Sequence, residues 1–452
     1  MSDEFVDEPL FDSPAPIPAP ITKQPIASTA QDHHDLITKQ TEDLSISQSK
    51  IDTLFIKSTV SSPSKENDGQ NAYITYLVST ITNNPIFNAK KFEIRRRFSD
   101  FVFLYDVLSN DHPECVIPPL PDKQRLEYLK GDRFSPEFTE KRCQSLQRFL
   151  KRIEGHPVLK KSKIYHIFLE STEWGSYKVN LKIKSDDHGL GSGSSLTSDG
   201  GIITDVFINA FKSPNLQSKE FIIIKEKSEK LDENIARIDK IFQKIMKRYG
   251  DLEQDYYDFS YQIKKIAELE PELEIPFVKF SEGLQGLSLG FAQLKQFLDN
   301  EYLISLKDLE HYINSVRNLI KLKDQKQMDF EAISEYLERS IHEKNVIITG
   351  GSTGASGFLS AKFEELTGQN PDLNKREKLN KLESKIEKLS KELDISQKVS
   401  QEFEKSTLKE VNYFDNVKSL ELKESLGKLA DKNIEFYETL ISKWEDIEKS
   451  LA

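Results

Sequence analysis

The chain has 452 residues, of which 37% are hydrophobic and 30% charged, and a net charge of −11. Its two cysteines, Cys115 and Cys143, exclude a disulfide framework and a CxxC metal site. The acidic start MSDEFVDEPLF lacks the apolar core of a signal peptide, and no apolar run approaches the ~20 residues of a membrane span, so a cytosolic chain with peripheral membrane contact is expected.

Residues 1–47 hold six of the 18 prolines and no sustained periodicity, which predicts a disordered tail. Three runs rich in β-branched and aromatic residues follow, IDTLFIKSTV, AYITYLVSTIT and KFEIRRRF, separated by Asn, Asp, Gly and Pro; they predict three antiparallel strands. Helical spacing at Phe101, Leu104 and Leu108 comes next, then the proline loop VIPPLPDK. A second helix is predicted from Cys143, Leu146, Phe149, Leu150 and Ile153. From Lys90 to Lys163 there are 17 Lys and Arg against 11 Asp and Glu, a local +6 that leaves −17 for the rest of the chain. A basic island in an acidic chain points to a local anionic ligand rather than to nucleic acid.

After Trp174, the stretch DDHGLGSGSSLTSDGG reads as a flexible linker, and residues 177–214 are assigned to it. Within it, Ile203, Val206, Phe207, Ala210 and Phe211 would share one helical face, suited either to inserting into a membrane or to joining two domains. From Pro214 onward only Pro214, Pro271, Pro276 and Pro371 punctuate a helical pattern. Leu231, Ile235, Ile238, Phe242, Ile245, Tyr249, Leu252, Tyr256, Phe259, Ile263 and Ile266 form an unbroken coiled-coil seam. A second run from Phe277 to Val316 slips by two successive steps of four around Leu298 and Tyr302, a stutter that locally unwinds a supercoil. A third runs from Leu379 to Ile447, after the helix-breaking ITGGSTGASG. Three helices this long, with one apolar stripe each, need one another and a second chain to bury it.

Arg95-Arg96-Arg97-Phe98-Ser99-Asp100-Phe101, then Ile117-Pro118-Pro119-Leu120-Pro121-Asp122-Lys123, then Lys141-Arg142 occur in an order and spacing that resembles the PX phosphoinositide-binding domain over residues 48–176. With the three long helices over 215–452, the whole chain resembles the PX-BAR sorting nexin family. The resemblance implies an α+β PX domain, with a three-stranded antiparallel sheet and helices, followed by an all-α BAR dimerisation domain of three long helices. It further implies that Arg97 grips the 3-phosphate of phosphatidylinositol 3-phosphate, that Phe98 lies against the inositol ring, that Lys123 meets the 1-phosphate and that Arg142 bonds the 4- and 5-hydroxyls. The family usually carries Tyr where Phe98 stands; Phe keeps the ring face and loses the hydroxyl.

Leu126, Tyr128 and Leu129, beside Arg125, Lys130 and Arg133, either dip into the bilayer, as this loop does in the family, or pack on their own domain. The implied role is endosomal: a peripheral sorting protein, a homodimer or a heterodimer with another PX-BAR sorting nexin, serving endosome-to-Golgi retrieval and selective autophagy. It would act in the cytoplasm, on endosomes and at the preautophagosomal structure. The alternative is a lipid-tethered coiled-coil scaffold that does not shape membranes. An enzyme is disfavoured: GGSTGASG lacks the GxxxxGK[ST] pattern, and no Ser/His/Asp or carboxylate constellation stands out. No cofactor, metal or nucleic-acid partner is expected. Residues 215–452 carry 37 basic and 45 acidic side chains, so a membrane-facing surface there requires clustering; Arg317, Lys321, Lys323 and Lys326 are one candidate cluster.

Overall fold

The computed structural model of the chain describes residues 54–67, 72–121, 134–187, 218–349 and 371–451, without the side chains of 182–187, 371–374, 450 and 451. The proline-rich tail, Lys123, Leu126, Tyr128, Leu129, the 202–211 segment and ITGGSTGASG beyond Thr349 therefore lie outside the described residues. Residues Ile56–Ala452 form one compact unit.

Strands β1 (Ile56–Glu66), β2 (Tyr73–Thr82) and β3 (Lys91–Arg97) form an antiparallel sheet in the order β1-β2-β3. The first strand runs further than its β-branched start suggests. It passes through Pro63 by a bulge between Ser61 and Ser64, with Ser62 at a φ of 47°. A proline is tolerated there because β1 is an edge strand and the bulge breaks the ladder locally.

Helix α1 (Phe98–Asp111) follows β3 directly and buries Phe101, Leu104 and Leu108. Helix α2 (Pro136–Gly155) starts on Ser135, whose hydroxyl accepts the Phe138 N–H at 3.3 Å, and has Pro136 in its first turn. It buries Cys143, Leu146, Phe149, Leu150 and Ile153, the residues whose spacing predicted it. Two shorter helices complete the layer: α3 (Lys163–Glu170) and α4 (Trp174–Asp187). Phe101 packs edge-on against both Phe149 and Phe168, which ties α1, α2 and α3 into one core. The fourth helix occupies the start of the stretch read as linker. Its Tyr177 stacks on Trp174, and Tyr177 and Leu181 pack on the core of the small domain.

The remainder is helical. Helix α5 (Lys219–Leu269) runs 51 residues; α6 (Glu274–Phe297), a π-helical turn (Leu298–Tyr302) and α7 (Leu303–Thr349) run on as one interrupted rod; α8 (Pro371–Leu451) runs 81 residues. The π turn falls on the residues of the stutter. An extra residue per turn lets the apolar stripe slip and resume without breaking the helix. Prolines fall where missing N–H groups cost nothing: Pro271 in the turn between α5 and α6, Pro276 in the first turn of α6, and Pro371 at the start of α8.

Helix α6 meets its neighbours through small residues. Ser281 donates to the Ser260 carbonyl at 2.9 Å and Ser288 to that of Glu253 at 2.7 Å, both on α5. On its other side, a Cβ at Gly283 would fall 2.3 Å from the Ile447 side chain of α8.

The seam of α5 divides in two. Leu231, Ile235, Ile238, Phe242, Ile245 and Tyr249 pack into a core with Leu306, Leu309, Ile313 and Phe414. Beyond them Leu252, Phe259 and Ile266 are exposed, as are Ile434, Tyr437, Ile441 and Trp444 of α8.

Candidate functional site: the arginines at the end of the third strand

Side chains of a strand alternate between its faces, so three consecutive arginines cannot share one task. Arg95 braces the edge of the sheet, donating to the Thr75 hydroxyl at 2.9 Å and the Ser62 carbonyl at 2.8 Å. Arg96 points into the domain. It donates to the carbonyls of Phe168 at 2.9 Å and Ser171 at 2.5 Å, closing the end of α3, and it lies over the rings of Phe168 and Trp174. Burial lowers its pKa to about 10, so it stays charged at neutral pH. Arg97 returns to the solvent face, half exposed, with Tyr73 beneath its guanidinium at 5.2 Å. Among the described residues no acceptor lies within hydrogen-bond reach of that guanidinium; Asp100 Oδ1 comes nearest, at 3.9 Å from Nε.

Asp100 is itself buried and occupied. Its Oδ2 accepts the backbone N–H of Arg97 at 3.0 Å, which satisfies an orphan donor at the start of α1, and its Oδ1 accepts from Lys178 Nζ of α4 at 2.6 Å. The strand end and the helix start are therefore held by the same carboxylate.

Arg142 reaches the site from the second turn of α2. Its guanidinium lies between two rings, 4.4 Å from the centroid of Phe98 and 4.3 Å from that of Phe138. Two cation–π contacts hold the guanidinium between the rings. The same cation lies near the Tyr76 hydroxyl and favours its ionisation, but burial prevails and raises that group to about 12. Arg97, Phe98 and Arg142 are thus brought together, with Arg142 covering one face of Phe98. Lys123, the fourth residue of the implied set, lies outside the described residues.

Two residues escaped the sequence reading. Phe138 is four residues before Arg142 on one helix face, a spacing that could have revealed it. Tyr73 sits two residues before Thr75, which pairs with Arg97 across the sheet, a diagonal neighbour visible only once the register is known.

The basic island has a second use. Along α2, Lys141 pairs with Asp299 at 2.5 Å, Arg148 with Asp308 at 2.5 Å, Lys151 with Glu424 at 2.9 Å and Arg152 with Glu421 at 2.8 Å. All four acids belong to the helical bundle. Part of the local excess of positive charge therefore docks the small domain on the bundle rather than serving a ligand. Val116, the first residue of the proline loop, is buried in the bundle core and donates its N–H to Glu410 at 2.9 Å.

Cys115, His156 and Glu410 come together at this joint, all buried. His156 Nδ1 accepts the N–H groups of Val158 and Leu159, both at 3.2 Å, so the ring proton sits on Nε2 and is given to Glu410 at 3.0 Å. Burial and the Glu410 carboxylate push the Cys115 thiol well above its usual range. Such a donor set suits a hydrogen-bonded joint, since a metal would need the thiolate and the Nε2 lone pair together.

The proposed cationic cluster on α7 is not available as a unit. Arg317 donates to Asp232 at 2.8 Å, and Lys323 is buried over the Phe221 ring. An exposed basic face occurs instead on α5, where Arg237, Lys240, Lys244, Lys247 and Arg248 point to solvent. Lys247 lines a groove facing Pro136 and Glu137 of α2. Among the described residues no helix is long and apolar enough to cross a membrane.

Comparison with known proteins agrees with this geometry. The PX domain family matches residues 84–172. Sorting nexin-4 of Saccharomyces cerevisiae is 44% identical over 405 residues, covering 87% of this chain and 93% of that protein. Sorting nexin-4 of Eremothecium gossypii is 43% identical over 409 residues, covering 87% and 97%. The cryo-EM structure of the SNX-BAR Mvp1 tetramer superposes with a TM-score of 0.57 at 17% identity, covering 86% of this chain and 99% of that one, which supports the fold. A PX domain suggests phosphoinositide binding, and the helical bundle shares the fold of a BAR protein. With a PX domain match, a bundle of three long helices and relatives of this identity over nearly their whole length, the chain belongs to the PX-BAR sorting nexin family.

Proposed function

We propose that the chain binds phosphatidylinositol 3-phosphate on endosomal membranes and dimerises through its helical bundle. The observation that carries the reading is the contrast within the arginine triplet. Arg95 and Arg96 donate to groups of the protein, whereas among the described residues Arg97 has no acceptor within hydrogen-bond reach, and Arg142 lies over the ring of the adjacent Phe98. A guanidinium can take two phosphate oxygens with directional, charge-assisted bonds of about 1.5–3 kcal/mol each. Arg97 would hold the 3-phosphate, Lys123 the 1-phosphate, and Arg142 the 4- and 5-hydroxyls, with Leu126, Tyr128 and Leu129 entering the bilayer. Lys247 and its basic neighbours on α5 would meet anionic headgroups less specifically.

The exposed apolar side chains of α5 and α8 support a dimer, since so many large side chains, among them Leu252, Phe259, Ile266, Tyr437, Ile441 and Trp444, are costly to leave in water. Two lipid sites on one rigid dimer would raise membrane avidity by roughly 10² to 10⁴. Endosome-to-Golgi retrieval and selective autophagy are the cellular roles that fit such a protein. A vesicle series tests the lipid assignment. Binding should require the 3-phosphate and gain nothing from a 4- or 5-phosphate; equal binding to all phosphoinositides would reduce the site to a generic basic patch.

A further inference from the structure

Asp100 creates a problem for a phosphate site. A buried carboxylate beside Arg97 is an internal competitor for the very guanidinium that a ligand needs. At hydrogen-bond distance it would hold Arg97 by two charge-assisted bonds and cancel its charge. Yet the Arg97 Nε stands 3.9 Å from Asp100 Oδ1, too long for a hydrogen bond. Oδ1 is instead taken by Lys178 Nζ at 2.6 Å, and Oδ2 by the Arg97 backbone N–H at 3.0 Å. Both side chains of the Lys178–Asp100 pair are mostly shielded from water, at 17% and 10% exposure, so the pairing is weakly screened. Lys178 belongs to α4, beyond the residues that match the PX domain family, and follows directly on Tyr177, which stacks on Trp174.

We propose that Lys178 is a positioning residue of the lipid site: by occupying and neutralising Asp100, it keeps the Arg97 guanidinium available to a 3-phosphate. Asp100 is then kept for its backbone task at the strand–helix junction, while Lys178 supplies the countercharge that Arg97 would otherwise lose to it. The proposal rests on the reading that Arg97 holds a lipid phosphate.

The test uses the full chain with two probes: vesicles containing phosphatidylinositol 3-phosphate, and soluble inositol 1,3-bisphosphate followed by calorimetry. Lys178→Met should weaken binding of both by about three- to tenfold, the scale of one partly screened unit charge. Lys178→Arg should restore it. The decisive variant is Lys178→Met combined with Asp100→Asn. Asn can still accept the Arg97 N–H but no longer attracts the guanidinium, so affinity should recover toward wild type. Were Lys178 only an anchor for α4, the second substitution would recover nothing, and that result overturns the proposal, as does wild-type affinity in Lys178→Met. Arg97→Ala in the same series separates the two claims. If it too binds like wild type, the lipid site itself is misplaced; if it loses binding while Lys178→Met does not, only the role of Lys178 falls. Loss confined to vesicles, with the soluble headgroup bound normally, would place the effect in membrane contact and also contradict the proposal.

Discussion

Arg152 of α2 and Glu421 of α8 meet fork to fork, with Nε and one terminal nitrogen each 2.8 Å from a different carboxylate oxygen. The guanidinium also donates to the Asp308 carbonyl at 3.1 Å and lies over the Tyr312 ring, so it is buried with its donors distributed among α7 and α8. This pair joins the small domain to the bundle. Removing one partner of a buried pair strands the other charge. Glu421→Ala should therefore destabilise the chain by about 3 kcal/mol, and a thermal melt in which the small domain unfolds ahead of the bundle would show that the joint carries the coupling. An unchanged, single transition would show that the pair contributes little.

The contact between α6 and α8 depends on Gly283 having no side chain. A Cβ there would lie 2.3 Å from the Ile447 side chain, so Gly283→Val must displace that side chain or the end of α8 that carries it, at a cost of about 1–3 kcal/mol. Combining it with Ile447→Ala should restore much of the lost stability, as read by denaturant unfolding. Equal destabilisation in the single and double variants would refute the close approach.

Glu154, half-buried in the small domain, accepts the Ser58 backbone N–H at 2.6 Å, and desolvation raises its pKa from an ordinary 4.5 to about 7. The folded chain keeps this proton to higher pH than the unfolded chain does. Stability should therefore fall as pH rises from about 4.5 to about 7 and stay lowered above that, by about 3 kcal/mol in full. Glu154→Gln retains an acceptor for Ser58 and should flatten this part of the profile, melting higher than wild type at pH 8. A wild-type profile that is level across this range would contradict the assignment.

Much of the fold was legible in the sequence because it is written in periodicity. Cys143, Leu146, Phe149, Leu150 and Ile153 fall on one face of α2, and the stutter at Leu298 and Tyr302 becomes a π turn. The site was legible only where a motif names its residues. Composition marked a basic island but could not divide it, since pairs such as Arg148 with Asp308 span 160 residues and appear only when the two domains meet. The regularity of the α5 seam likewise concealed that Ile238 and Ile245 pack into the chain's core while Phe259 and Ile266 remain largely exposed.

That division moves the test of dimerisation. Substituting Ile238 and Ile245 would damage the chain's own core, whereas Ile266→Asp with Ile441→Asp alters side chains that stand in water in the single chain. Light scattering should then report a monomer with a near-normal melting curve and weak retention on vesicles. A dimer persisting in this variant would place the interface elsewhere.

The central claim is the division of labour among the three arginines, and vesicle co-sedimentation on phosphatidylinositol 3-phosphate tests it most directly. Arg97→Ala should abolish binding while leaving the melting curve unchanged, because its guanidinium bonds nothing within hydrogen-bond reach among the described residues. Arg96→Ala should instead lower the melting temperature, since it strips two carbonyls at the end of α3 of their donor. Wild-type binding by Arg97→Ala at an unchanged melting temperature would contradict the account.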